Sequence, residues 1–151
     1  MKASKNISID SKFKENFKSC VYMLKCYDNE EALQKKTDDY LLYTGMAKDP
    51  IKNLEAHFKQ KERYTKRFRG NLEVGYMELY DDLKKAQERR EQIRKLRREE
   101  KSTLLAKKIV TSCDKCGSRM EKSFLIDHDG TKHTILQCKC CNFWIESPVK
   151  F

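Results

Sequence analysis

This sequence predicts an α+β fold: a small mixed three-stranded sheet with flanking helices, followed by a β-rich module too small to fold without a staple. Three observations carry that prediction. Strand-like runs and helical stripes follow one another in the order β-β-α-β-α over residues 19–108. Two Cys-x-x-Cys pairs then stand at Cys113/Cys116 and Cys138/Cys141. The chain has 151 residues, room for a compact domain of ~100 residues plus a satellite of ~40. There is no internal repeat and no low-complexity segment.

Residues 1–18 are polar and aperiodic and read as a flexible basic arm. Ser19 to Cys26 carries Val21, Tyr22, Met23 and Leu24 and reads as the first strand. A polar stretch over residues 27–39 leads to a second strand over residues 40–45, so the hairpin has a long connection. Asp49 is a good N-cap and Pro50 is tolerated at the first helical position, so a helix starts there. Ile51, Leu54 and Phe58 give it one apolar stripe. Residues 71–79, with Leu72, Val74, Tyr76 and Leu79, read as the third strand.

One long helix is expected from about Asp81 to Lys108, with acids at its start and lysines at its end. Leu83, Ala86 and Ile93 mark its buried stripe, joined by Leu96, Leu104 and Leu105. Position 90 lies on that stripe, yet it is Arg90. Arg89, Arg94, Lys95, Arg97 and Arg98 are expected on its outer surface.

Charge points to a partner. The chain holds 33 Lys and Arg against 23 Asp and Glu, a net charge of +10. Residues 111–151 contain six basic and five acidic side chains, leaving 27 against 18 for residues 1–110. An excess of that size suits a polyanion, because neutralising phosphates releases counterions. A well-solvated surface explains charge alone equally well. No run approaches the ~20 apolar residues of a membrane helix, and the N-terminus lacks a signal peptide's apolar core. The expectation is an intracellular protein, cytoplasmic or nuclear, with no membrane partner.

Thiols stay reduced in that compartment, so clustered cysteines read as metal ligands. A two-residue spacer lets both thiolates of a tight turn reach one ion, and Gly117 and Asn142 permit the positive φ that follows. Four sulfurs match tetrahedral structural Zn²⁺ and leave no open position for catalysis. Cys113, Cys116, Cys138 and Cys141 form the expected set; Cys140 is spare. His128 and His133 read as surface residues. Between the knuckles, residues 123–126 and 134–137 read as a hairpin, and residues 143–145 as a last strand. The whole is a zinc ribbon over residues 111–151, with a surface open to nucleic acid, a protein partner or the first domain.

Several short motifs, in order, resemble the GIY-YIG nuclease family, notably its small single-domain and structure-selective members. Cys20-Val21-Tyr22 stands in place of Gly-Ile-Tyr, and Tyr43-Thr44-Gly45 stands as the second motif. His57 sits at the family's helical histidine. Tyr64-Thr65-Lys66 matches a Tyr-Thr-Arg segment, and Ala86, Ile93, Arg94, Leu96 and Lys101 match the second helix. The resemblance spans roughly residues 19–106, so residues 19–108 are taken as a GIY-YIG nuclease-like domain.

That resemblance implies phosphodiester hydrolysis of DNA with a divalent ion, Mg²⁺ or Mn²⁺. It implies catalytic roles for Tyr22, Tyr43 and His57: a tyrosine works with a general base on the attacking water, and a second tyrosine helps hold the phosphate. Two positions depart from the pattern. Asn53 stands where the family has its arginine, beside Lys52, and Arg90 aligns with the metal-binding glutamate. Glu91 is one residue on, a rotation of ~100° away from the site. An arginine there opposes a cation and suits a phosphate. Lys52, Lys66, Arg67, Arg69, Arg90 and Arg94 are the expected nucleic-acid contacts. Three readings follow: an endonuclease, a domain that binds DNA or RNA without cutting, and a protein-interaction module.

Overall fold

The computed structural model describes residues 8–9, 19–113, 115–146 and 149–150. The arm expected over residues 1–18 otherwise lies outside the described residues. Strand β1 (Ser8–Ile9) pairs antiparallel with β9 (Val149–Lys150). Between them run β2 (Ser19–Cys26), α1 (Glu30–Lys35), β3 (Leu41–Ala47), α2 (Pro50–Phe58), β4 (Leu72–Tyr80), α3 (Leu83–Arg94) and α4 (Arg98–Lys107). Strands β5 (Ile109–Ser112), β6 (Arg119–Ile126), β7 (Lys132–Cys138) and β8 (Trp144–Glu146) follow.

The architecture is α+β, built on one seven-stranded sheet in the order β3-β2-β4-β5-β6-β7-β8. Central β2 is antiparallel to both neighbours, with Tyr22 opposite Gly45 on β3 and Met77 on β4. The mixed character comes from β5, which runs parallel to β4 through Met77↔Ile109 and Glu78↔Val110. Strand β5 then pairs with β6, so the cysteine-bearing hairpin extends the same sheet.

Alternation along the strands divides the core into two faces. Cys20, Tyr22, Leu24, Val74, Met77 and Leu79 pack with Leu54 and Phe58 of α2 on one face, in a cluster that reaches Met120, Leu136 and Cys138. Val21, Met23 and Tyr76 pack under Ala86, Ile93 and Leu104 on the other. Gly75 is the extra residue where the register shifts between Met23↔Tyr76 and Leu24↔Val74. A Cβ there would lie 2.6 Å from Leu105 Cδ2, so its absence lets α4 approach the sheet.

The expected long helix is two helices. Lys95 and Leu96 close α3 through short backbone bonds to Gln92 and Ile93, and Arg97 is extended, with φ −73° and ψ 164°. The apolar stripe explains the break. After Ile93, a straight helix would present Arg97, Glu100 and Lys101 to the sheet. The break leaves Arg97 and Glu100 exposed, while Leu104 buries in phase with Ile93. The polar stretch before β3 also holds structure: α1 is capped by Asn29, whose side chain accepts from the Ala32 N–H at 2.8 Å. Among the described residues no helix is long and apolar enough to cross a membrane.

Candidate functional site

The first cluster forms where β2, β3, α2 and the segment after α2 meet. Helix α2 starts as the sequence suggests, with the Asp49 side chain capping the Lys52 N–H at 3.2 Å and Pro50 in the first turn. That start sets the helical phase that turns Leu54, His57 and Phe58 inward. Tyr22 is brought against this helix because Gly45, its neighbour across the ladder, has no side chain. A Cβ on Gly45 would stand 2.5 Å from the Tyr22 hydroxyl and 2.9 Å from Tyr43 Cε1.

The hydrogen bonds form one directed chain. The Tyr22 hydroxyl donates to Asn53 Oδ1 in a short contact. Its oxygen is then free to accept from His57 Nε2–H at 2.8 Å. His57 Nδ1 accepts from the Thr65 hydroxyl at 2.6 Å. This assignment makes His57 a neutral imidazole with both nitrogens engaged. Burial agrees, lowering His57 below the ordinary imidazole value while Glu62 works against it. Burial also raises Tyr22 well above the usual phenol range, reinforced by Tyr43, Cys20 and Glu62 and opposed by Arg90. Tyr43 shifts the same way, with burial and Glu62 raising it and Arg90 and Arg94 lowering it.

The rings of Tyr22, Tyr43 and His57 are mutually close, with centroids 5.1–6.3 Å apart. Tyr64, 70% exposed, stacks on Tyr43 at 6.4 Å and 23°. Tyr43, Thr44 and Tyr64 share a cleft of about 460 Å³ with Leu42, Arg90, Arg94 and Lys101. Arg90 Nε there is buried without a hydrogen-bond partner, as is the Thr44 hydroxyl. Glu91 Oε1 lies 3.4 Å from that nitrogen. Glu91 itself is half exposed and holds Arg94 at 3.3 Å, turned outward as its helical position dictates.

The expected basic contacts separate into groups. Arg90 and Arg94 line the tyrosine cleft. Lys52 lines an adjacent cleft of about 640 Å³ with Asn53, Glu62, Asp49 and Gln87. Lys66, Arg67 and Arg69 lie at a single 3₁₀ turn, Lys66–Phe68, with Arg67 over the Phe68 ring at 4.7 Å. Arg89, expected on the outer surface of its helix, instead turns to Glu78, with Nε 3.1 Å from Oε1. Glu78 is only 3% exposed and also receives Arg119 at 3.2 Å and the hydroxyls of Tyr76 and Tyr80. Burial alone would raise this carboxyl. The two hydroxyls and two guanidiniums outweigh it and hold Glu78 below the usual range.

Sequence reasoning missed Thr65, Glu62 and Lys101 as members of the site. Thr65 and Lys101 stood inside quoted motifs without an assigned role. Glu62 lies in the polar segment after α2, where nothing but its position in the fold distinguishes it from its neighbours.

The second cluster is local. Cys113, Cys116, Cys138 and Cys141 place their sulfurs within 4.8 Å of one another. Cys113–Cys141 is 3.7 Å and Cys116–Cys138 is 3.4 Å, near the ~3.8 Å edge of a tetrahedron with ~2.3 Å metal–sulfur bonds. The two knuckles repeat one pattern. Gly117 N–H donates to Cys113 O at 2.9 Å, and Asn142 N–H to Cys138 O at 3.1 Å. Lys115 N–H and Cys140 N–H each reach a sulfur at 3.4 Å, and Gly117 and Asn142 both have positive φ. Ser118 hydrogen bonds hold the Cys116 thiol down at about 6. Four thiolates this close repel unless a cation sits among them, so the donor set fits a metal and the module fits a zinc ribbon. Cys140 is exposed and outside the set, as the spacing implies.

Comparison with known proteins adds to this geometry. Residues 18–103 match the model of the GIY-YIG catalytic domain. A UPF0213 protein of Clostridium perfringens is 31% identical over 90 residues, which cover 60% of this chain and 85% of that protein. No solved structure matches.

Proposed function

The chain belongs to the GIY-YIG family, and from that premise we propose that its tyrosine cleft grips a backbone phosphate of DNA without cutting it. Membership makes this a nuclease-like, nucleic-acid-acting protein. One observation carries the proposal of binding without cutting. Arg90 puts a permanent cation beside Tyr43, with its Nε buried and without a hydrogen bond, its only ion pair among the described residues being the half-exposed Glu91 at 3.4 Å. A guanidinium repels a divalent ion and forms charge-assisted bonds to phosphate oxygens. Arg94, Lys101 and Tyr43 line the same cleft and offer further contacts.

Glu62 favours a second reading. Its charge acts on Tyr22, Tyr43 and His57 together, and a carboxylate on that side suits Mg²⁺ or Mn²⁺. When bound, such an ion would polarise the phosphate and activate water. Incubation with Mg²⁺ or Mn²⁺ and branched, nicked and linear DNA separates the two readings. Binding without cleavage is expected. Cleavage that Tyr22→Phe and Glu62→Gln each abolish would replace the first reading with the second.

We also assign the four cysteines to structural Zn²⁺, each contributing one thiolate. The closed set leaves the ion to tie β6 to β8 together and not to act on substrate.

A further inference from the structure

The ribbon's net charge is near zero, yet its charges lie on different faces. On β6, Met120, Lys122, Phe124 and Ile126 alternate onto the face that Leu136 covers from β7, while Glu121 points to the opposite face. Glu121 there binds Lys107 at 3.0 Å and Lys139 at 2.8 Å. Asp127 is held by His133 at 2.6 Å. Glu121 and Asp127 are thus occupied elsewhere. Phe124, 45% exposed, has the Lys132 ammonium 3.8 Å and the Lys122 ammonium 5.1 Å from its ring centroid. Burial, then the charges of Lys108 and Lys132, hold Lys122 below the ordinary lysine value. Among the described residues, none of the three lysines has a carboxylate within ion-pair distance.

We propose that this face of the ribbon is a second nucleic-acid contact, in which Phe124 stacks on an unpaired base while Lys122, Lys132 and Lys108 take the flanking phosphates. A half-exposed ring with mobile ammonium groups over it has both components of such a contact once Lys132 swings from the ring to a phosphate: a π surface indifferent to base identity and charge that tracks the backbone. It rests on the reading above only in taking nucleic acid as the partner, and it uses none of the tyrosine-cleft residues. Trp144 is a built-in comparison. It is also exposed, but pairs with Gln137 in the row of Glu121, on the opposite face.

The test uses the zinc-loaded full chain and fluorescence anisotropy with DNA bearing an unpaired tail. Phe124→Ala, and Phe124→Leu as an apolar ring-free variant, are expected to weaken binding about 10-fold. Lys122→Ala with Lys132→Ala is expected to shallow the salt slope by about 1.5. Trp144→Ala is expected to bind as wild type, with one zinc per chain throughout. Unchanged affinity in both Phe124 variants overturns the proposal, and so does an equal loss in Trp144→Ala. Arg90→Ala separates the two readings: if it alone fails to weaken binding, the cleft reading falls and the ribbon contact stands. A wild-type chain that binds no probe overturns both.

Discussion

The tyrosine cleft and the four-sulfur cluster sit on one continuous sheet but are built in opposite ways. Each knuckle carries its own turn, its own N–H···S contact and its own positive-φ residue, all within five residues of chain. The tyrosine site takes Tyr22 from β2, Tyr43 from β3, Asn53 and His57 from α2, Thr65 from the next segment and Arg90 from α3. Local chemistry fixes the first. The second exists only while several elements hold their phase, so single residues there change its chemistry without changing the fold. Arg90 is such a residue.

The largest effect that would sharpen this contrast is removal of the metal. Structural zinc in such sites contributes an apparent ~10–16 kcal/mol. Chelation, or Cys116→Ser, is expected to abolish hydrogen-exchange protection in β6 to β8 while β2 to β4 keep theirs. Protection of β6 to β8 without zinc would show that the sheet alone holds them.

Next is Glu78, which bridges the regions by holding Arg119 from β6 and Arg89 from α3. Glu78→Gln is expected to cost ~3 kcal/mol, because it leaves cations without their buried partner. The sign with pH follows from its depressed value. Glu78 stabilises the fold fully above the ordinary value of 4.5, and that contribution is lost as pH falls through its lower folded value. The variant should therefore show a flatter acid limb in thermal melts. An acid limb as steep as wild type would place the pH sensitivity elsewhere.

The smallest stability effect is local to the cleft. Gly45→Ala places a methyl group 2.5 Å from the Tyr22 hydroxyl and is expected to cost ~1–3 kcal/mol. It should also weaken DNA binding by displacing Tyr43, leaving the zinc content untouched. A parallel loss of zinc would mean the two regions are not independent.

The same contrast explains what was legible in the sequence. Ser19–Cys26 was readable to the residue, since a bounded apolar run of that length is a buried strand. The metal ligands were readable because Cys-x-x-Cys states its geometry in its spacing. The break at Arg97 was not, because it has no glycine, proline or side-chain cap; the polar positions 97, 100 and 101 carried the only signal. Arg89 was misplaced because its partner, Glu78, lies on a strand whose phase shifts at Gly75. Helical phase puts Arg90 in the cleft, whereas Glu91, expected to point away, still reaches Arg90 Nε at 3.4 Å with its carboxylate. Glu62 and Thr65 were invisible as site residues because the tertiary path of an irregular segment brings Thr65 to His57 and Glu62 to the adjacent Lys52 cleft.

Phosphate binding by Arg90 in the GIY-YIG cleft is put to the sharpest test by the affinity of Arg90→Ala for DNA across a salt series. A charge-assisted contact of roughly 1.5–3 kcal/mol predicts a loss of about 10- to 100-fold. The salt slope should become shallower by about 0.9, and neither protein should cut in Mg²⁺. Affinity and slope equal to wild type, or wild-type cleavage that Arg90→Ala retains, would contradict it.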